Sequence, residues 1–195
     1  MRKKRYHSQR EKAIWKLAAC VLAVLLLTGL GSLRLTPTAA LRVEEDVLGC
    51  GETEVLWRQA EWQAGRVRSL SVNENVVLVT DAVLGWGGWN AEGTAVLDCS
   101  GGEPFYIGMN YVDRWRRLDW YFFGKINVPG AVQLRLELDE YASIDIPRAS
   151  WLTGKNGIYF YTAMPLGRRE EIRVKLFDAS GELLFETEFR PMDGG

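Results

Sequence analysis

"AVQLRLELDE", residues 131–140, is the stretch whose pattern decides the fold class. On an extended chain Val132, Leu134, Leu136 and Leu138 fall on one side, and Gln133, Arg135 and Glu137 on the other. Successive side chains of a strand point to opposite faces, so the segment reads as a half-buried antiparallel strand with one wet face.

The same period continues towards the C-terminus. In "EEIRVKLFDASGELLFETEF", 170–189, Ile172, Val174 and Leu176 alternate with Arg173 and Lys175. "DASG" then supplies Asp, Ser and a glycine able to take positive φ, and the chain returns through Leu183, Phe185, Thr187 and Phe189. This is a hairpin. Towards the N-terminus, "RVRSLSV", "NENVVLVTD", "TAVLDC", "EPFYIGMNYV" and "DWYFFGKINV" are rich in β-branched and aromatic residues and are separated by turn residues. "ETEVLWRQAEWQAG", 52–65, mixes helix formers with two tryptophans and reads equally as a short helix or a first strand.

Strands recurring about every 8 to 14 residues argue for an antiparallel β-sandwich over 53–191, immunoglobulin-like in architecture, and against alternating βα units. No immunoglobulin family is assigned, because Cys50 lies in "LGCGE", a poor strand, and no tyrosine stands two residues before Cys99.

Upstream, residues 34–52 hold Pro37, Gly49, Gly51 and the acidic run Glu44, Glu45, Asp46, and are expected to form a stalk. Before them comes an uncharged run of seventeen residues, Leu17–Leu33, preceded by Arg2, Lys3, Lys4, Arg5, Arg10, Lys12 and Lys16 against a single Glu11. At about 1.5 Å per residue the run covers roughly 25 Å. Counted from Ala13, with Lys16 snorkelling, it approaches the roughly 30 Å of a hydrocarbon core. The expectation is a mainly β protein with an N-terminal transmembrane helix. It has a basic cytoplasmic tail at 1–12, an anchor at 13–33 and the remainder outside the cell membrane. A cleavable signal sequence has the same opening, with "TPTAA" at 36–40 as a cleavage pattern, so a secreted product is the alternative. Cys20 precedes most of the apolar run and so does not fit a lipoprotein signal.

Residues 1–40 carry eight basic and one acidic residue, leaving sixteen basic and twenty-four acidic, a net of minus eight, for 41–195. An acidic module speaks against a nucleic-acid partner, and the basic tail is read as a topology signal and contact for anionic membrane lipid. The only histidine is His7, which excludes Ser-His-Asp and Cys-His chemistry and histidine-based metal sites from the module. Cys50 and Cys99 are candidates for a disulfide in an oxidising compartment. The absence of Asn-x-Ser/Thr is consistent with a bacterial source.

Catalytic motifs are weak throughout. Asp113 with Asp119, Asp139 with Glu140, and Asp145 are acidic candidates among many surface carboxylates, and Ser150 with Lys155 lies in a loop-like segment. "GWGGWN" misses G-x-G-x-x-G at Asn90, and neither Gly-Lys pair has the glycine a P-loop requires. No catalytic residue, cofactor or metal is expected.

Aromatics are in excess, with seven Trp, six Tyr and seven Phe in 41–195. They either fill a core or form a contact surface. The glycine-rich "LGWGGWNAEG" and the arginine-flanked "VDRWRRLDW" make Trp86, Trp89, Asn90, Trp115 and Arg116 the candidate patch. The expected function is non-enzymatic binding of a protein partner at the cell envelope, with a carbohydrate or cell-wall polysaccharide as the alternative partner.

Overall fold

A computed structural model describes the backbone of residues 3–29, 34–114, 117–138, 142–164 and 171–190. The elements are α1 (Lys3–Gly29), α2 (Pro37–Leu48), β1 (Glu54–Glu61), β2 (Arg66–Val72), β3 (Val76–Gly85), β4 (Gly88–Asp98), β5 (Phe105–Arg114) and β6 (Arg117–Ile126). They continue with β7 (Gln133–Glu137), β8 (Ser143–Pro147), β9 (Leu152–Gly154), β10 (Gly157–Met164), β11 (Ile172–Phe177) and β12 (Leu183–Phe189).

The protein is mainly β, with three antiparallel four-stranded sheets. Their orders are β1-β2-β3-β4, β5-β6-β10-β9 and β12-β11-β7-β8, hereafter the first, middle and last sheets. This is consistent with a sandwich in which one sheet has neighbours on both faces. Phe105, Phe122, Ile126 and Phe160 of the middle sheet form one core with Leu134, Leu136, Ile146, Ile172, Val174 and Leu176 of the last. Tyr121, Phe123 and Tyr159, pointing the other way, form a second core with Leu70, Val72, Val77 and Val79 of the first. Every described residue of β6 from Trp120 to Ile126 is therefore buried. A strand covered on both faces has no reason to alternate, which is why "DWYFFGKINV" reads as one apolar run.

Gly124 is required where the middle sheet is tightest. A Cβ there would run into the Tyr106 carbonyl and come within 2.7 Å of the Phe160 ring.

The last sheet keeps one wet face, and its alternation is clean. Leu134 and Leu136 point inward, while Arg135 Nε lies 2.6 Å from Asp145 and Lys175 Nζ lies 2.9 Å from Glu137 and 3.6 Å from Glu186. These charges run strand to strand across the exposed side. The hydrogen bond from Arg135 holds Asp145 below the ordinary carboxylate range. A depressed carboxylate pKa stabilises above its unfolded value and is lost as pH falls through the folded one. Asp145→Asn should accordingly show a shallower loss of Tm on acidification below about pH 4 than the wild type, the unfolded Asp titrating near 3.9. The hairpin β11–β12 forms as the sequence indicates. Gly181 has φ 83°, and Asp178 Oδ1 accepts from the backbone N–H groups of Ser180 and Glu182. The ambiguous 52–65 resolves into β1 and a single 3-10 turn, Trp62–Ala64.

Two expectations are corrected. Residues 34–52 are not a stalk. Thr36 caps α2 by accepting from the Ala39 N–H, Pro37 occupies its first turn, and Gly49 ends it at φ 63°. Helix signals of this kind outweigh the loop character of the same Pro and Gly. Ala40, Leu41 and Glu45 are buried, and Ala40 packs with Val67, Ala82 and Trp89 on the outer face of the first sheet. The Glu45 carboxylate accepts from the Thr53 N–H at 2.9 Å and from Arg42 at 2.6 Å, so the chain leaving α2 is tied back to it.

Secondly, among the described residues no helix is long and apolar enough to cross a membrane. Side chains of α1 are described for residues 11–26. The charge-free part of that stretch begins at Leu17 and covers only about 15 Å at 1.5 Å per residue. The rest of the uncharged run, 27–33, lies outside the described side chains.

Candidate functional site

The candidate patch divides once the β3–β4 register is known. Leu84 pairs with Trp89 and Gly85 with Gly88, so Trp86 and Gly87 form a two-residue tip, and Trp89 and Asn90 belong to a strand. Trp86 is 108% exposed, whereas Trp89 is 6% exposed beneath α2. The glycines do not open a loop here; they tighten a hairpin and turn Trp89 into the core. Trp89 is thus corrected from contact residue to packing residue. Asn90 is exposed, accepting from Arg34 Nη1 at 3.1 Å and donating to the Gly88 carbonyl at 3.1 Å. Trp115 and Arg116 lie outside the described residues.

Arg34 fixes this hairpin. It forms a parallel bridge with Gly88, and its carbonyl accepts from the Trp89 N–H at 2.7 Å. Gly88 has φ 96°, and a Cβ there would collide with the Arg34 backbone.

A second tryptophan joins Trp86 that the candidate patch had not included. The β1–β2 and β3–β4 connections lie at the same end of the first sheet, and the 3-10 turn in the former carries Trp62, 72% exposed. Its ring meets Trp89 edge-on at 6.3 Å. Leu84 and Leu35 are also exposed at this end. The sequence signal was present: Trp62 stands in "WQAG", a turn between two strands.

The other concentrated chemistry lies between the first and middle sheets. Arg68 is buried and bonds Asp81 through two nitrogens, Nε at 2.7 Å and Nη2 at 3.1 Å. Its Nη1 donates to the Tyr161 hydroxyl at 3.2 Å, and its Cζ lies 4.5 Å from the Tyr121 ring centre. Trp57 stacks on Tyr161 with ring centres 4.3 Å apart. Burial opposes the Arg68 charge, but the hydrogen bond and negative charge of Asp81 outweigh it and hold the guanidinium protonated well above its ordinary range. Burial, then the Asp81 charge, likewise raise the Tyr121 hydroxyl.

The cleft over this cluster, lined by Gln59, Glu61, Arg66, Arg68 and Asp81, measures about 10 Å³, room for about one water. With its fork already occupied, Arg68 cross-links two sheets. Arg68→Ala should cost about 2–3 kcal/mol, less than the 3–5 of a fully buried pair because Asp81 is partly wet. Arg68→Met combined with Asp81→Leu should recover most of the loss in urea unfolding.

Of the acidic candidates, Asp145 is engaged by Arg135; Asp139 and Glu140 lie outside the described residues, as do the side chains of Asp113 and Asp119. Lys155 donates its backbone N–H to Glu54 at 3.3 Å. Cys50 and Cys99 are separate thiols. Both approach the β2–β3 turn, where Asn73 Nδ2 donates to the Cys50 carbonyl and the Cys99 N–H to that of Asn75. Cys50 Sγ nevertheless faces the Glu45 and Gly51 carbonyls, and burial pushes the Cys99 thiol up to about 11. A thiol so raised is a poor nucleophile. Among the described residues no group of three or more His, Cys, Asp or Glu is placed to hold a metal ion.

Comparison with family models, with curated proteins and with solved structures found no match to this chain.

Proposed function

We propose that this protein is a non-enzymatic module of the cell envelope, tethered at a membrane by its N-terminal segment and acting by contact through the Trp62–Trp86 end of its first sheet. The observation that carries the reading is Trp86, wholly exposed on a two-residue hairpin tip that α2, Arg34 and Trp89 hold rigid. A large aromatic on a fixed turn offers contact area with little ordering cost, the character of an interface anchor. The tether is supported by the basic cluster at 2–16, the uncharged Leu17–Leu33 and the exposure of Ile14, Leu17, Val21, Leu22 and Leu26 along α1. An envelope protein is the first expected partner. The polysaccharide alternative keeps Trp86 and gains Trp62, but without Trp89.

The test is an affinity capture from native membranes with full-length protein and a Trp86→Ala variant. Trp86 packs on nothing whose loss would unfold the module, so the variant is expected to keep its Tm within about 1–2 °C, as surface changes do, and to lose the captured partner. An unchanged partner set would overturn the contact surface.

A further inference from the structure

We propose that the surface occupying the Trp62–Trp86 end is the headgroup interface of the membrane at which the N-terminal segment is tethered, so that the module is held at two points: by that segment and by its tryptophan hairpins. This rests on the tether of the reading above and puts lipid in place of the envelope protein at the same end, so that capture of a protein partner through Trp86 would overturn it.

The geometry comes from Arg34. Helix α1 ends at Gly29, and Arg34 is fastened to the β3–β4 tip through Gly88 and Trp89. Five residue steps span at most about 18 Å when fully extended. The tip carrying Trp86 lies across the bridge and two residue steps beyond Gly88, so it stays within about 30 Å of the end of α1, whatever path the connection takes. A module free to tumble on a long leash would show its tips to water. Held this closely, the first sheet turns its α1-proximal end to whatever surrounds α1.

The composition of that end fits a bilayer interface. Trp62, Trp86, Leu84 and Leu35 are exposed there. Tryptophan concentrates at the headgroup level of membranes, where its ring is apolar and its N–H finds water. Arg34 adds a positive charge beside the rings, suited to an anionic headgroup. The β2–β3 turn at the opposite end carries Asn73, Glu74 and Asn75. The exposed rings thus lie at the end near α1, beside the Arg66–Glu92 ion pair, and the turn at the other end is polar.

The experiment uses the full chain in phosphatidylcholine–phosphatidylglycerol vesicles, some containing acyl chains brominated just below the headgroup. Flotation reports the tether, and quenching of tryptophan emission reports the rings. Trp86→Ser and Trp62→Ser leave Trp15 in place, so the difference from wild type isolates each ring. The expected result is that all three proteins float and that each variant loses its ring's share of the bromine-dependent quenching. Flotation with identical quenching in wild type and variants would overturn the interface assignment while leaving the tether intact. A chain that does not float would overturn the tethered reading and this assignment with it.

Discussion

Phe160→Ala is expected to destabilise the module by about 3–5 kcal/mol, the range for truncating a buried phenylalanine. Phe160 is 0% exposed in β10 of the middle sheet. Its ring stacks on Phe105 with centres 5.6 Å apart and lies over the space that Gly124 leaves open. The site is closed on every side: β6 beside it, Phe105 of β5, and the last sheet's Leu134 and Leu176 in the same core. Packed between strands and rings, the site collapses only in part, and the cost falls within that range. Urea unfolding checks it through a lowered midpoint at an unchanged slope. A loss below about 1 kcal/mol, the typical value for an ordinary point mutation, would show that the middle sheet is not packed on this face.

Trp89→Ala is expected to cost about 3–4 kcal/mol, although the sequence places Trp89 three residues from a ring whose removal should leave stability unchanged. Trp89 fills the space between α2 and the first sheet with Ala40, Val67 and Ala82. Two of these partners are alanines, so the tryptophan supplies most of the volume, and its loss should release α2 as well as open a cavity. Proteolysis at 34–52 should accelerate in this variant and not in Trp86→Ala. Equal resistance of the two variants would contradict the packing of α2.

Where one face of a sheet is wet, the sequence was easy to read. β7, β11 and β12 belong to the last sheet, whose outer side is a ladder of ion pairs, and their period of two survives except at the irregularity beside Leu183 and Leu184. In the middle sheet that period vanishes because both faces are covered, so the third layer was not legible. α2 is hard to read in the sequence because Pro37 and Gly49 serve a helix start and stop as readily as a loop. Its buried face, Ala40, Leu41 and Glu45, contains a carboxylate whose burial only the later Thr53 explains. At the candidate site, the glycines marked the right place. Which of Trp86 and Trp89 faces out depended on register, and register depended on Gly88 accepting Arg34 from fifty-four positions upstream. No local pattern carries that information.

The order in which strands enter the sheets has a consequence for how the chain matures. The hairpin β5–β6 goes to the middle sheet, β7–β8 to the last, β9–β10 back to the middle and β11–β12 again to the last. Neither sheet is complete until the final hairpins arrive, and β6 and β7 must each wait for a neighbour made much later. The first sheet, by contrast, is a local meander that closes on its own. A nascent chain emptied from the ribosome up to about β8 thus has one finished sheet and two ragged ones, a state in which long-range pairing is slow and open edges persist. Such a polypeptide carries one early-formed layer, while the other two lock together only when the last hairpins supply their missing neighbours.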